Sequence, residues 1–444
     1  MRFEKTLQDH TKSVRPDLQR RLKLTPYTEV EAKIVAAFSG IKPSVEEIPT
    51  DLALGRVCSG DVSSKFSVPS TTVSAMDGYA IRSVESQKAS TLIPVRFKIR
   101  GSVFPASDAT GLRISGNECF YVATGATLPN GADAVVKVED TKFESGEMTV
   151  TRSIPNLKNV VERGEDFEAG RILFRKGHVF NSTDVALLIS AGVSRVRVFH
   201  SPLVGILSIG DELSEFKQRK ADCDLENQNI IVNNFFNLIS GFLGELGIQA
   251  ELIGICKDDS KAITKSIESH IGNYDAILTI GGSSVGEKDF TPEALSAVYG
   301  SRIIFHGVRM VPIKPAGLFA VNDKPVVVIP SHASSATFSF FLISLPVLNI
   351  ISGLEFNDRK LRIDATCAEQ IENTRPIDAI ALVSLARKDG AYHAMHLGWG
   401  SNVISNLSLA NGFLIMSRNS TVRKSEQVEI QLLGTSQLAR ILQS

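Results

Sequence analysis

The chain has 444 residues, of which 43% are hydrophobic and 22% are charged. This length is too great for one hydrophobic core and predicts three or four domains. Lysine plus arginine and aspartate plus glutamate number 48 each, so no overall field favours nucleic acid or an anionic membrane, and any anion site must be local.

The N-terminus and the cysteines favour a reducing, cytoplasmic location. The opening stretch MRFEKTLQDHTKSVRPDLQRRLK has no apolar signal core, and it carries the acidic residues that a transit peptide avoids. Residues 1–25 are therefore interpreted as a solvated extension. Five scattered cysteines form no CxxC pair, which argues against a disulfide framework or a structural zinc site. They are Cys58, Cys119, Cys223, Cys256 and Cys367.

A helix followed by a mainly β module is predicted next. Thr28 and Glu31 have the spacing of a capping box, and apolar residues recur at helical spacing from Val30 to Phe38. From there to about Val150, short β-branched runs are punctuated by glycine and proline.

Two dipeptides inside the β module are typical of tight turns. Asp77–Gly78 and Asn130–Gly131 each lie between apolar residues, and this pattern predicts two hairpins. Asp77 and Thr124 gain functional interest if they face a ligand site, from the same subunit or from a second one.

Residues from about 203 to 348 alternate apolar strands with helices. The runs, in order, are LVGILSI, FFNLISGFLGEL, AELIGI, AITKSIESHI, DAILTI and PVVVIP. Strands that are apolar throughout and separated by helices predict a parallel sheet covered on both faces. Such sheets bind ligands beyond the carboxyl ends of their strands.

The last predicted elements are an uncharged helix and a small β domain. From Ala333 to Leu354 no residue is charged, and this length could cross a bilayer. Polar or helix-breaking residues recur at short intervals and no basic flank is present, so a buried amphipathic helix is the preferred interpretation. From Leu361 onward the pattern returns to short strands, with a turn at Lys388–Gly390.

The first candidate site is the SIGDEL segment that directly follows the strand LVGILSI. Gly210 permits a sharp turn, and Asp211 and Glu212 then stand at the ligand edge of the sheet. Their carboxylates suit a magnesium ion or a hydroxyl. The alternative is an acidic turn that caps the next segment.

The second candidate site is the glycine-rich loop TIGGSSVGEKDF, which again follows a strand. Its glycines allow backbone amides to approach an anion, its serines add donors, and its acids offer oxygen ligands to magnesium. The residues concerned are Gly281, Gly282, Ser283, Ser284, Gly286, Glu287 and Asp289. A merely flexible loop is the less favoured alternative.

Two further loops offer contacts to an anion. Lys314 lies on a proline-stiffened loop and would lose little entropy on meeting an oxyanion. After Pro330 a helix begins near Ala333, and its positive end with Ser331 could receive phosphate. The alternative for Lys314 is an ordinary surface charge. His332 could be a ligand of the anion, but a histidine at such a position more commonly caps the helix or packs against it.

Taken together, these segments resemble the molybdopterin molybdenumtransferase family, which includes the E domain of gephyrin. The similarity runs from about Pro26 over nearly the whole chain. The motifs that carry it appear in the order of the family: LALGRV, SAMDGYAI, TGATLPNGADAVV, RGEDFEAGRILFRKG, GDEL, GGSSVGEKD, IKPAG and SLANG.

The resemblance implies a multi-domain α/β plus β protein. The implied parts are the extension 1–25, a linker domain 26–60 plus 155–190, a β domain 61–154, a three-layer molybdopterin-binding α/β domain 191–354 and a C-terminal β-barrel-like domain 355–444. It also implies a homodimer whose active cleft lies between the α/β domain of one subunit and the β domain of the other. Other proteins of the molybdopterin pathway are candidate partners.

The resemblance further implies the reaction and its residues. Molybdate is inserted into adenylylated molybdopterin, AMP is released, and Mg²⁺ takes part. The functional residues of the family match Asp77, Thr124, Glu212, Asp258, Asp289 and Lys314. The residues singled out above complete the prediction, with Glu287 and Asp289 as the metal ligands. The predicted cofactor-binding residues are Gly210, Asp211, Gly281, Gly282, Ser283, Ser284, Gly286, Pro330 and Ser331. Arg375 and Ser401 match, more loosely, residues near molybdate.

Some positions depart from the family pattern. Val311 stands where a lysine is usual, and Ser331–Ala333 replace a glycine and a proline of the family loop. Loss of a lysine beside an oxyanion removes a contact worth roughly 1.5 to 3 kcal/mol. A non-catalytic paralogue that binds molybdopterin or acts as a scaffold therefore stays open as an alternative, as does, less strongly, a molybdopterin adenylyltransferase.

Overall fold

The computed structural model describes residues 24–214, 231–282, 290–356, 359–399 and 404–434. These residues form two compact units. The β-rich unit contains Glu47–Leu54 and Cys58–Val198, and the α/β-barrel unit contains the described residues up to Glu46, Gly55–Val57 and those from Phe199 onward. The domain bounds given above stay predictions.

The first helix forms where the sequence predicts it. Helix α1 (Tyr27–Phe38) precedes strand β1 (Val45–Pro49), and the apolar stripe from Val30 to Phe38 is buried. The predicted capping box is wrong, because the N-cap is Pro26 and makes no side-chain hydrogen bond. Thr28 therefore lies inside the first turn instead of before it.

The β-rich unit is built around a six-stranded sheet. The strands up to Phe199 are β2 (Val62–Ser63), β3 (Val73–Ser74), β4 (Gly78–Ile81), β5 (Val95–Val103), β6 (Glu118–Val122), β7 (Ala134–Lys137), β8 (Lys142–Glu144), β9 (Glu147–Val150), β10 (Val160–Val161), β11 (Ile172–Phe174) and β12 (Arg195–Phe199). The sheet has the order β7-β4-β6-β5-β9-β8. Helix α2 (Ser182–Ser190) packs in a separate small core, and 3₁₀ turns lie at Thr50–Leu52, Ser83–Ser86 and Val138–Asp140. The predicted β module is confirmed.

The two predicted hairpins are wrong. Strands β6 and β7, on either side of Asn130–Gly131, pair with β4 and lie on opposite sides of it. Strand β3, which precedes Asp77–Gly78, pairs with β10 and not with β4. Each flanking strand has a partner that is distant along the chain, so tertiary pairing overrides the local turn signal.

The α/β domain spans β13 to α7. Its elements are β13 (Leu203–Ile209), β14 (Leu213–Ser214), β15 (Ile231–Val232), α3 (Asn234–Glu245), β16 (Gln249–Cys256), α4 (Ser260–His270), β17 (Ala276–Ile280), α5 (Phe290–Ala297), β18 (Ser301–His306), β19 (Met310–Val311), β20 (Gly317–Val321), β21 (Lys324–Ile329), α6 (Ala333–Ser339) and α7 (Leu345–Ile351). The six-stranded sheet has the order β16-β13-β17-β21-β20-β18. Its first four strands are parallel, as predicted. Strands β20 and β21 are antiparallel, as are β18 and β20, so the sheet is mixed.

Helices cover both faces of this sheet. Buried residues of α1, α3, α6 and α7 share one apolar core with Ile206 and Leu278. Residues of α4 and α5 share another with Leu207 and Ile277. Because successive strand residues point to opposite faces, the two cores lie on either side of the sheet, and the predicted three-layer domain is confirmed.

The C-terminal part is a closed β-barrel. Its elements are β22 (Arg362–Cys367), β23 (Ile371–Asn373), β24 (Asp378–Lys388), β25 (Ala391–His396), α8 (Ile404–Leu409), β26 (Gly412–Met416), β27 (Ser420–Val422) and β28 (Gln427–Leu432). Strands pair in the order β24-β25-β22-β28-β26, and β26 pairs again with β24 to close the barrel. Strand β19 of the α/β domain adds to β24 in parallel. The barrel-like prediction is confirmed, and so is the turn at Lys388–Gly390 between β24 and β25.

A long apolar helix lies between the sheet and the barrel. Among the described residues, Ala333–Ile351 is the one helix long and apolar enough to cross a membrane, and 94% of its apolar window is buried inside the protein. The predicted burial is confirmed. The helix is not amphipathic, however, because the residues from Ala333 to Asn349 are all buried. Contacts such as Phe338 with Phe413 of β26, at 5.1 Å between ring centroids, cover the side that the sheet leaves open.

Candidate functional site

Acidic residues converge where two parallel strands of the α/β sheet end. Gly210, after β13, donates its N–H to the carbonyl of Cys256 at the end of β16, with 3.0 Å between N and O. The N–H of Asp258 then donates to Oδ1 of Asp211 at 3.4 Å. Asp211 and Glu212 are exposed at this edge. The structure thus brings Asp211 and Asp258, which are 47 residues apart in the sequence, to the same edge of the sheet.

The thiol of Cys256 reports the negative charge at this edge. Burial raises its pKa, and the carboxylates of Asp259, Asp258 and Asp211 raise it further. This edge of the sheet is therefore locally negative.

A buried polar pair anchors the acidic turn. The Ser208 hydroxyl and the Asn233 side-chain amide are hydrogen-bonded, with 2.9 Å between Nδ2 and Oγ, and both residues are buried. The N–H of Asn233 also donates to the carbonyl of Ser214. Sequence reasoning missed Asn233, which directly follows the short strand β15.

The glycine-rich turn begins with two positions that only glycine fits. Gly281 has φ +102°, and a Cβ there would lie 2.2 Å from the carbonyl oxygen of Ile209. Gly282 has φ +63°, and its Cβ would lie 2.4 Å from Oγ1 of Thr291. The turn therefore runs directly against the end of β13 and the start of α5. The other predicted residues of this loop lie outside the described residues: Ser283, Ser284, Gly286, Glu287 and Asp289.

A second region of interest is a cleft of about 470 Å³ between the α/β domain and the barrel. We call it the Arg375 cleft. Val311, His332 and Trp399 line it together with Arg375. Val311 and His332, two of the departures from the family pattern, thus share one cleft with the arginine that the resemblance places near molybdate.

The neighbouring predicted residues flank this cleft. Lys314 is half-buried on the loop whose Pro312 and Pro315 line the cleft. Pro330 is buried and Ser331 is exposed, directly before α6. Ser401 lies outside the described residues.

Arg375 is held by its surroundings. Its guanidinium carbon lies 4.5 Å from the centroid of the Trp399 ring. The backbone N–H of Arg375 donates to Oδ1 of Asn373 at 3.2 Å. Sequence reasoning missed Trp399. Its signal was available, because it is the chain's one tryptophan and stands two residues before Ser401.

Asp77 and Thr124 are neighbours within the β-rich unit. Oδ1 of Asp77 accepts hydrogen bonds from the Thr124 N–H at 2.7 Å and from the Thr124 hydroxyl at 2.8 Å. These two bonds, the backbone one first, lower the pKa of Asp77. Both residues are exposed, so the aspartate is a fixed, ionised group. That they complete a site formed with the α/β domain stays a prediction.

The donor set at the acidic edge fits magnesium that arrives with a phosphorylated ligand. No three His, Cys, Asp or Glu side chains converge on a metal position within the part of the chain that the structure describes. Magnesium is commonly held by one or two carboxylates together with substrate phosphates and water. Asp211 and Asp258 are acids at this edge whose carboxylates would hold such an ion.

Two family models match most of the described chain. Residues 25–192 match the MoeA N-terminal region, domains I and II. Residues 205–349 match a probable molybdopterin binding domain. The two matches meet near the start of β13, where the β-rich unit gives way to the α/β domain.

Similar proteins extend this likeness over most of the chain. A putative molybdopterin biosynthesis protein of Methanocaldococcus jannaschii is 29% identical over 399 residues, 88% of this chain and 92% of the relative. A molybdopterin molybdenumtransferase of Staphylococcus epidermidis is 28% identical over 329 residues, 74% of this chain and 76% of the relative. The crystal structure of a molybdopterin biosynthesis MoeA protein from Pyrococcus horikoshii is 27% identical, covers 93% of this chain and 99% of its own, and has a TM-score of 0.77. The chain belongs to the molybdopterin molybdenumtransferase (MoeA) family.

Proposed function

We propose that this protein inserts molybdate into adenylylated molybdopterin and releases AMP, as a step of molybdenum cofactor biosynthesis. One observation carries the proposal: Arg375 presents a guanidinium to a cleft beside the α/β domain whose strand ends gather Asp211 and Asp258. Molybdate is an oxyanion that needs cationic donors, and a pyrophosphate needs amide donors and a metal. The α/β-barrel unit offers both kinds of group.

The phosphate end of the substrate is assigned to the sheet edge. The turn at Gly281 and Gly282 brings backbone close to the end of β13, where backbone amides can approach phosphate oxygens. Asp211 and Asp258 would hold Mg²⁺, which supplies charge neutralisation to the phosphates when bound. Ser208 and Asn233 keep the acidic turn in place from below.

The molybdate end is assigned to the Arg375 cleft. Arg375 donates to the oxyanion, and His332 and the N-terminal amides of α6 lie on another wall of the same cleft. Phe338, Ile380 and Leu382 give that cleft apolar surface, which excludes water and strengthens the contacts of the anion.

We further propose that the protein works as a cytoplasmic homodimer. The free state of the described cysteines, Cys58, Cys119, Cys256 and Cys367, supports a reducing compartment. The exposed pair Asp77 and Thr124 would then complete the cleft of the partner subunit. Other proteins of the pathway would deliver the nucleotide, and the balanced charge offers no support for binding of nucleic acid.

A second candidate function is binding without turnover. Val311 and His332 line the cleft beside Arg375, so the positions that depart from the family lie where the oxyanion would bind. A protein of this kind would keep affinity for the nucleotide and release no AMP.

The decisive experiment is an assay of AMP release. Purified protein receives adenylylated molybdopterin and Mg²⁺ with or without molybdate, and AMP is quantified by chromatography. We expect molybdate-dependent AMP release that falls about a hundredfold in Arg375→Gln, since removal of one preorganised donor has this magnitude. Lys424→Gln, on an exposed barrel turn, is the matched control and should leave the rate unchanged. Tight nucleotide binding without AMP release would favour the second candidate.

A further inference from the structure

The side chain of Arg375 lies against an indole ring. The guanidinium carbon lies 4.5 Å above the centroid of the Trp399 ring, within the range of a cation–π contact. Both residues line the same cleft. We propose that Trp399 is a positioning residue, which holds Arg375 in the orientation that binds a tetrahedral oxyanion. This inference rests on the proposed function, because it concerns the oxyanion of that reaction.

The backbone around Arg375 is fixed as well. Asn373 is 1% exposed, and its Nδ2 donates to the carbonyls of Ile377 at 3.0 Å and of Ser417 at 2.8 Å. Its Oδ1 accepts the N–H of Arg375 at 3.2 Å, and the N–H of Asn419 donates to the Arg375 carbonyl at 3.0 Å. The Cα of Arg375 is therefore clamped, and the remaining freedom lies in its long side chain.

The contact with the Trp399 ring restricts that freedom without occupying the guanidinium in a hydrogen bond to an oxygen or nitrogen acceptor. A guanidinium has five N–H donors in its plane. Among the described residues, no carboxylate pairs with this guanidinium and no acceptor bonds to it. The in-plane donors are thus available to an anion, and the entropy of ordering the side chain is lost in folding and not in binding.

Trp399 is itself supported by the His396 ring and by the core of the barrel. Its ring meets the His396 ring edge-on, with 4.8 Å between centroids, and it packs against the core of the barrel. Burial lowers the pKa of His396, and nearby Arg375 lowers it too, while Glu369 opposes this shift. A neutral imidazole behind the indole adds no cation that would repel Arg375.

The intrinsic fluorescence of Trp399 provides a direct way to test the contact with Arg375. Because the chain contains a single tryptophan, its fluorescence reports on this contact alone. We expect titration with sodium tungstate, a stable tetrahedral oxyanion, to change the emission of the full-length protein in a saturable way. Arg375→Gln should abolish the saturable change. An unchanged emission under conditions where calorimetry detects tungstate binding would overturn the inference.

The main test compares substitutions at position 399. For Trp399→Leu we expect the apparent KM for molybdate, and the calorimetric Kd for tungstate, to rise about five- to twentyfold, which matches the range of a partly desolvated cation–π contact. The nucleotide KM and kcat should change less than about twofold on the same argument. Trp399→Phe, which keeps an aromatic face, should recover most of the affinity.

Tyr392→Leu is the matched control. Tyr392 packs against the same barrel core as Trp399 and does not line the Arg375 cleft. Thermal unfolding is measured for each variant. If Tyr392→Leu lowers Tm as much as Trp399→Leu and weakens tungstate binding equally, the effect is that of a loosened barrel, and the inference is wrong. Unchanged tungstate affinity in Trp399→Leu would also refute it.

A double-mutant cycle separates action through Arg375 from direct contact with the anion. In the Arg375→Gln background, Trp399→Leu should cause no further loss of tungstate affinity. An additive loss would show that Trp399 acts independently and would overturn the positioning role. Because tungstate binding needs no turnover, a protein that binds tungstate through this pair but releases no AMP would sink the proposed function and leave the inference intact.

Discussion

Lys360 carries its ammonium group into a partly apolar environment at the start of the barrel. Its Nζ lies 4.2 Å from the centroid of the Phe356 ring. Burial lowers the pKa of Lys360 from 10.5 to about 8, nearby Arg362 lowers it further, and Glu31 opposes the shift. The folded chain thus holds this proton less tightly than the unfolded chain does, which makes the free energy of unfolding depend on pH at this residue.

Lys360→Met should expose that dependence. Below pH 8 the lysine is charged in both states and its burial is penalised, so we expect the methionine variant to be more stable by roughly 2 kcal/mol. Between about pH 8 and 10.5 the unfolded lysine still binds a proton that the folded one has lost, so the wild type gains stability and the difference shrinks. Urea unfolding at a series of pH values measures it. A difference as independent of pH as that of the exposed control Lys424→Met would contradict the assignment.

At the scale of residues, the charged residues of the site were easier to predict from the sequence than the residues that hold them in position. Asp211 was recognised because acids after an apolar strand are visible in the sequence and such strands bind ligands beyond their carboxyl ends. Asp258 was recognised only through the resemblance to the family. Trp399 and Asn373 were not, because Trp399 meets Arg375 only through the tertiary fold and Asn373 is anchored by the carbonyl of Ser417, 44 residues away.

At the scale of elements, the buried helix Ala333–Ile351 contains side-chain hydroxyls that lie away from solvent. The hydroxyls of Ser339 and Ser344 are buried and have no hydrogen-bond partner among the described residues. A π-helical turn, Phe340–Ser344, lies between α6 and α7. Burial of a hydroxyl without a hydrogen bond destabilises the folded state.

Removal of these hydroxyls should stabilise the protein. We expect Ser339→Ala and Ser344→Ala each to raise the free energy of unfolding by about 1 kcal/mol, since no hydrogen bond is lost. Thr337→Val is the matched control, because the Thr337 hydroxyl donates to the Ala333 carbonyl at 2.9 Å and its loss should lower stability by a similar amount. Chemical unfolding of the three variants decides the matter. Destabilisation by both alanines would mean that the hydroxyls are bonded after all.

The elements themselves were largely predictable where periodicity is strong. The apolar runs of the α/β domain became β13, α3, β16, α4, β17 and β21. The predicted hairpins failed, as did the purely parallel sheet, because strand partners such as β4 with β7 and β18 with β20 are chosen by the tertiary core. The face that a helix buries is likewise decided by what lies against it. This is why Ala333–Ile351 is enclosed on every side.

At the scale of the whole molecule, the proposed homodimer makes a prediction about shared sites. If Asp77 of one subunit serves the α/β domain of the other, Asp77→Ala and Glu212→Ala proteins should each be inactive alone. After they are mixed, half of the subunits should pair in hybrid dimers that contain one intact site of two, so about a quarter of wild-type AMP release should return. Activity that never returns, although native mass spectrometry detects hybrid dimers, would place both residues in a site within one subunit.

Strand β19 joins the two walls of the Arg375 cleft. Met310 and Val311 pair with Asp378 and Ala379 of β24, so the loop that carries Lys314 and the strand that follows Arg375 share one ladder. This pairing ties the two walls of the cleft to each other. A chimera that takes its barrel from a relative must therefore include Met310 and Val311 with that barrel, because otherwise the junction between the two proteins will cross the proposed anion site.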